Sequence, residues 1–254
     1  MRELNAVYTI WLREMKKFVR SKSRIVGNIA VPFFFLAFLG VGIDASFNLG
    51  GSFEGVRYLE FLTPGIIAMT LLFSSIFAGI SVLWDRQFGF LKEILVSPVK
   101  RMSIIFGRVL AGMTTGIIQA LIILGISLIL GVPINSFFGV LAALVFILLI
   151  SMSFVSLGIA FASKLQDMQG FQMIMNLIIF PLWMLSGAFF PLEGAPTWLA
   201  TLSYLDPLTY GVEGLRWSLL GISYIPWTIS IAVLAGFSFL MIVLGSYLFS
   251  KTEV

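Results

Sequence analysis

Leu62 to Trp84 reads LTPGIIAMTLLFSSIFAGISVLW, a run without a single charge, and Asp85 to Met102 follows it as DRQFGFLKEILVSPVKRM. The first stretch has the length an α-helix needs to cross about 30 Å of hydrocarbon with its backbone groups bonded internally. The second is different material: a charged opening, Phe88 and Phe90, then Leu91, Ile94 and Leu95 at i, i+3, i+4, closed by Ser97-Pro98. That order predicts a short amphipathic helix stopped by proline. A helix so short is not stable alone in water, so its apolar face needs a cover, either headgroups or a cytosolic partner.

Five further stretches resemble the first: Ile25 to Ile43, Ile104 to Leu130, Phe138 to Ala162, Phe171 to Phe190 and Trp227 to Phe249. The composition agrees, since 59% of the 254 residues are hydrophobic and only 11% charged, with mean hydropathy +1.04. Such a chain cannot solvate a globule. The expected fold is an all-α integral membrane protein with six transmembrane helices. The absence of Cys and His removes thiolate nucleophiles, the commonest general base and most metal-ligand sets, so no metal site and no catalytic residue is expected. An intramembrane protease or lipid transferase would need facing acids at depth, and the span centres carry none.

Of the sixteen basic residues, fourteen fall on one side of these spans: seven from Arg2 to Arg24, then Arg86, Lys92, Lys100, Arg101 and Arg108, with Lys164 and Lys251. Arg57 and Arg216 lie on the other side with Asp44, Glu54, Glu60, Glu193, Asp206 and Glu213. Basic loops stay inside, so both termini are expected in the cytoplasm. Arg108 lies one turn inside the third span, where its stem is expected to reach back to the interface rather than form a buried ion site. A net charge of +4, concentrated at one end, gives no reason to expect nucleic acid.

Two flanking segments are informative. Residues 1–24 place Leu4, Tyr8, Trp11, Leu12, Met15, Phe18 and Val19 on one helical face and Arg13, Lys16, Lys17 and Arg20 mostly on the other. This predicts an interfacial helix with its aromatic face among headgroups and its basic face towards anionic lipid. Residues 191–226 are long and apolar for a loop. Trp198, Leu199, Leu202 and Leu205 share a face, Asp206-Pro207 starts a second helix, and Leu208 to Leu220 is too short to span. A re-entrant or interfacial helical hairpin is expected, either a lid or a fixed cap, with Glu213 and Arg216 paired at i, i+3.

These pieces together resemble the membrane permease of type-2 ATP-binding-cassette (ABC) transporters, an export class that includes drug-resistance and Nod-factor-export permeases. The run Asp85-Arg86-Gln87-Phe88-Gly89-Phe90-Leu91-Lys92-Glu93-Ile94-Leu95-Val96-Ser97-Pro98 is similar to the family's acidic-Arg, Gly, Leu, Glu, Leu, Ser-Pro pattern. The run Leu185 to Pro191, followed by Asp206-Pro207-Leu208-Thr209-Tyr210 and Arg216, resembles its signature before the last helix. Phe90 stands where a small or hydroxyl residue is common, and Asp206 where Asn is common.

The resemblance implies that residues 85–103 form a coupling loop seated on a separate ATPase subunit, with Asp85, Arg86, Phe88, Gly89, Leu91, Lys92, Glu93, Leu95 and Pro98 as its contact residues. The amphipathic start, through Tyr8, Trp11, Leu12, Met15 and Phe18, is implied beside it. Because the second and fifth spans line the family's path, Phe73, Phe77, Asn176, Phe180 and Met184 are implied cargo contacts. Asp206, Pro207, Tyr210, Glu213 and Arg216 are the corresponding residues of the hairpin. No Gly-x-x-x-x-Gly-Lys-Ser/Thr loop occurs, so ATP and Mg are expected on the partner, with no cofactor bound by this chain. A second permease copy, prokaryotic cell-membrane location, efflux and multidrug resistance are further implications. Gly112-x-x-x-Gly116 is a candidate seat for that copy. Alternatives are a membrane scaffold docking a non-ATPase partner, or an ion-driven transporter using a broken helix at Pro181.

Overall fold

In the computed structural model, residues 2–46, 56–96, 98–165 and 167–251 are described, except for the side chains at 45, 46, 91, 92 and 95. Glu54 and Ser97 therefore lie outside the described residues, as do the side chains of Leu91, Lys92 and Leu95. Helix α1 is Arg2–Arg20. Among the described residues, six helical segments are long and apolar enough to cross a membrane: α2 Lys22–Asp44, α3 Tyr58–Gln87, α5 Arg101–Ile129, α6 Phe137–Lys164, α7 Met168–Leu185 and α10 Trp227–Ser250. Between them stand α4 Phe90–Val96, α8 Thr197–Leu205 and α9 Pro207–Leu220. Among the described residues there is no strand.

The helix ends have identifiable causes. Ser136 and Asp167 accept from Gly139 N and Gly170 N at 3.0 and 2.6 Å, capping α6 and α7. Gly89, at φ +78°, makes the tight turn from α3 into α4, a conformation that glycine adopts without strain. Inside the spans, hydroxyls of Thr63, Thr70, Ser156 and Ser163 bond the carbonyl one turn back, so they cost little away from water.

α3 is the central helix, enclosed along most of its length by α5, α6, α9 and the end of α2. α6 is its principal neighbour, and the two backbones meet at Gly79 and Gly158. A Cβ on Gly158 would lie 2.7 Å from the Ile76 carbonyl oxygen, and one on Gly79 would overlap the Gly158 carbonyl. Gly112 and Gly116 serve the same purpose inside the bundle, facing Val155 and Ser151, so they are not on an outer dimer face.

The fifth span ends at Leu185 rather than Phe190. Gly187 turns the chain at φ +72°, and Ala188 packs back against Gly65 of α3. α7 continues through Pro181 with no unwound segment. The wider turn Met175–Ile179 takes up the missing proline N–H, so the broken helix that a carbonyl cation site requires is not formed there. Pro32 in α2 is likewise followed by a wide turn, Phe35–Gly40.

Candidate functional site

The run expected to be a loop from Asp85 begins three residues later, at Phe88, because α3 extends to Gln87. Asp85 and Arg86 consequently point into the bundle. Asp85 accepts from Arg13 Nη2 at 2.6 Å and Nη1 at 3.0 Å, from Lys17 Nζ at 3.4 Å and from Arg108 Nη2 at 2.6 Å. Arg108 Nη1 also donates to Ser81 at 3.0 Å, and its side chain is only 2% exposed. Arg108 thus does reach towards the end of the bundle where the basic residues gather, yet it ends in a buried ion pair rather than at the interface. A carboxylate one turn from the end of α3 offers it a better partner than water can.

The same carboxylate corrects the reading of α1. Arg13 and Lys17 turn inwards to Asp85, while Lys16 and Arg20 stay exposed. The adjoining part of the same face of α1 packs on α5: Gly107 admits Ile10 and Val7, and Trp11 Nε1 donates to Thr114 Oγ1 at 3.1 Å. Glu3 accepts from Ser103 and from Lys100 N, and these bonds, Ser103 first, hold its carboxyl below the ordinary range. Of the aromatic face, Phe18 is buried, Trp11, Leu12 and Met15 are half-buried, and Tyr8 is exposed, stacked on Trp11.

Arg86 closes the other side. Its Nη1 and Nη2 donate to the Leu165 and Ser163 carbonyls, both at 2.9 Å, satisfying orphan acceptors at the end of α6. The end of α3 is therefore tied to α1 and α5 by Asp85 and to α6 by Arg86. From it hangs α4, where Phe88, Phe90 and Val96 are 73%, 52% and 84% exposed. Glu93 and Pro98 are also exposed, and of the described α4 side chains Ile94 is the one that packs partly on the core.

At mid-bundle, Phe73, Phe77, Asn176 and Phe180 meet in one cleft of about 270 Å³ between α2, α3 and α7. Met184 does not line it and is exposed on the outer side of α7. Sequence reasoning missed the α2 wall, Asn28, Val31, Pro32 and Phe35. The signal available was Asn28, a side-chain amide near the start of an apolar span.

The chain matches the family model described as "ABC-2 type transporter" over residues 5–220. It belongs to the ABC-2 type transporter family. It is 29% identical to the inner membrane transport permease YadH of Escherichia coli (strain K12) over 91% of this chain and 90% of that protein. It is 29% identical to the putative transport permease ycf38 of Cyanophora paradoxa over 78% and 70%, and 26% identical to nodulation protein J of Rhizobium leguminosarum bv. viciae over 84% and 81%. The chain is thus a multi-pass ABC-2 transport permease, a class that works with an ATPase.

In this ABC-2 permease the hairpin α8–α9 is built on Asp206, whose Oδ1 accepts from Leu208 N at 2.8 Å. Tyr210 donates to the Tyr204 carbonyl across the corner at 2.9 Å, and Pro207 opens α9. Arg216 pairs with Glu213 as expected, donates to Gly187 O at 2.9 Å and lies 4.0 Å from the Phe61 ring centre. Glu213 also accepts from Tyr224 N at 2.7 Å. With Leu208, Val212, Leu215 and Leu219 buried, α9 is packed as a core helix, which suits a fixed cap better than a moving lid. α8 by contrast leaves Trp198, Leu202 and Leu205 outward.

Burial pushes the Asp206 carboxyl up to about 8, partly offset by the Leu208 N–H. A carboxyl that is neutral near pH 7 does the work of an amide. The folded state then binds more protons than the unfolded state between about pH 4 and pH 8, so this group's contribution to stability falls as pH rises through that window and levels above it. Asp206→Asn is expected to keep the cap and remove the slope, its gain over the native chain growing from pH 5 to pH 8 to about 3 °C or more in Tm. Asp206→Ala should lose about 1 kcal/mol at pH 5 by forfeiting the cap. Thermal unfolding across that pH range reads both, and parallel pH profiles for the Asp206→Asn variant and the native chain would sink the assignment.

Proposed function

We propose that this permease is the membrane half of an ATP-driven exporter that moves a hydrophobic or amphiphilic compound out of a prokaryotic cell, as one of two copies and with both termini in the cytoplasm. The observation that carries the proposal is the exposure of three apolar side chains, Phe88, Phe90 and Val96, on a segment fastened to the most enclosed span. Such apolar exposure on and beside a seven-residue helix calls for a protein cover, and an ATPase groove supplies one. ATP and Mg belong to that partner, and Glu93, Lys92, Leu91 and Leu95 share the segment. The Phe- and Met-walled cleft supports a bulky apolar cargo, for which flexible apolar walls need few fixed hydrogen bonds.

The test is the ATPase rate of the reconstituted complex with a candidate nucleotide-binding subunit. Phe88→Asp and Glu93→Ala are expected to insert normally, with Phe88→Asp lowering the permease-stimulated rate about tenfold or more, since a buried unpaired charge at an interface costs more than about 1.4 kcal/mol. Glu93→Ala should have a smaller effect. A rate indifferent to both would exclude this face as the docking site.

A further inference from the structure

The cleft between α2, α3 and α7 has two unlike ends. Its α3 wall runs from Met69 to Phe77, eight residues and about 12 Å along the axis. At one end Phe35, Phe73 and Phe180 gather around Trp183, with ring centres 5.3, 6.3 and 5.8 Å from it. At the other, Phe77 stands 6.5 Å from Phe171, which places the next residue of α7, Gln172, at the Phe77 level. Asn28 and Ser74 belong to that end too, because with Phe77 they border the small recess beyond it as well as the cleft. Asn176 follows Gln172 one turn further along α7 and lines the same space.

This end carries hydrogen-bonding capacity without charge. Ser74 donates its proton to the Leu71 carbonyl at 3.2 Å and keeps its lone pairs. Asn28, Gln172 and Asn176 make no side-chain hydrogen bond among the described residues, so each offers the cleft an NH2 group and an oxygen. An amide left unbonded at membrane depth is costly, and these call for a polar partner. None of the described residues lining the cleft is charged. In the recess beyond, Arg24 interacts with Glu14, and Arg108 is turned to Asp85 and Ser81, so the nearest cations are already engaged with carboxylates.

We infer that the cargo is an amphiphile whose head is uncharged and built of hydroxyl or amide groups, held by Asn28, Ser74, Gln172 and Asn176, with its apolar body against Phe35, Met69 and Phe180. This deepens the proposed function and rests on the cleft being the cargo path. A hydroxyl both donates and accepts, as each amide does, and so satisfies these groups without bringing in a charge. A carboxylate or an ammonium would be stripped of water with no counter-charge facing it.

Three photoreactive probes sharing one diazirine-bearing decyl chain, with a glycerol ether, a carboxylate or a trimethylammonium as head, test this. Each is irradiated with the full chain in phosphatidylcholine nanodiscs. Mass spectrometry then compares adducts at Phe73 and Met175 in the cleft with those at Phe239, which is 71% exposed on α10 and serves as the lipid-facing reference. The ratio of cleft to reference labelling cancels each probe's partition into the bilayer. The glycerol ether is expected to give a ratio about tenfold or more above the other two. Gln172→Leu with Asn176→Leu should abolish that lead, and Asn176→Gln, which keeps the amide, should retain most of it. Equal cleft labelling above the reference by all three probes, a higher ratio for either charged head, or a lead that survives the double leucine variant overturns the uncharged head and leaves the cleft as cargo path. Cleft labelling no stronger than at Phe239 for all three overturns both.

Discussion

Asp85→Asn is expected to destabilise the protein by about 3–5 kcal/mol, the cost of leaving a buried charge without its counter-ion. The substitution is nearly isosteric, so packing is conserved and electrostatics alone changes. Arg13 and Lys17 are 32% and 40% exposed and can turn back to water. Arg108 cannot, and retains only Ser81. In detergent the midpoint of thermal unfolding should drop by about 10 °C or more. Adding Arg108→Met removes the stranded charge and should recover most of the loss, because a buried pair replaced by an apolar residue is often neutral. Coupling to an ATPase should not recover with it, since α1 is then no longer tied to the end of α3. An unfolding midpoint within a degree of the native chain would mean that Asp85 is not the counter-ion.

That network was not legible in the sequence, for a physical reason. Asp85 and its partners are separated by 72, 68 and 23 residues, and periodicity reports only neighbours within a helix or strand. Each cation also had a sufficient local explanation, as topology signal or lipid-facing charge. The Glu213–Arg216 pair was readable because i, i+3 places both on one face. The six spans were readable because backbone satisfaction in hydrocarbon leaves a long helix as the only solution. Gly112 and Gly116 show the limit of such rules: close approach was implied, but the sequence does not say to which neighbour. Phe73, Phe77, Asn176 and Phe180 do share a cleft, and its α2 wall was missed because an amphipathic stripe on a span does not reveal which helix covers it.

Gly158→Ala should cost about 2–3 kcal/mol, and Gly158→Leu should prevent a compact bundle altogether. The added Cβ would meet Ile76 O at 2.7 Å and Ile76 Cα at 2.9 Å, which are backbone atoms and cannot swing aside as a side chain would. Only separation of α3 from α6 relieves the overlap. Gly125→Ala in α5 is the control, because nothing lies within 4 Å of its Cβ; there alanine's better helix propensity should leave stability unchanged or raised by up to about 1 kcal/mol. If both variants unfold at the same temperature, the backbone contact is not tight.

The consequence reaches the end of α3. Gly79 and Arg86 are seven residues apart on that helix, about 10 Å along its axis, and Arg86 is bonded to the last carbonyls of the same α6 that Gly158 belongs to. Widening the helix pair at one point therefore levers the other. Gly158→Ala should lose permease stimulation of the ATPase more steeply than its stability loss accounts for, whereas Gly125→Ala should keep it. Proportional loss in stability and stimulation would instead mean that the contact at Gly79 and Gly158 holds the fold without directing motion along α3.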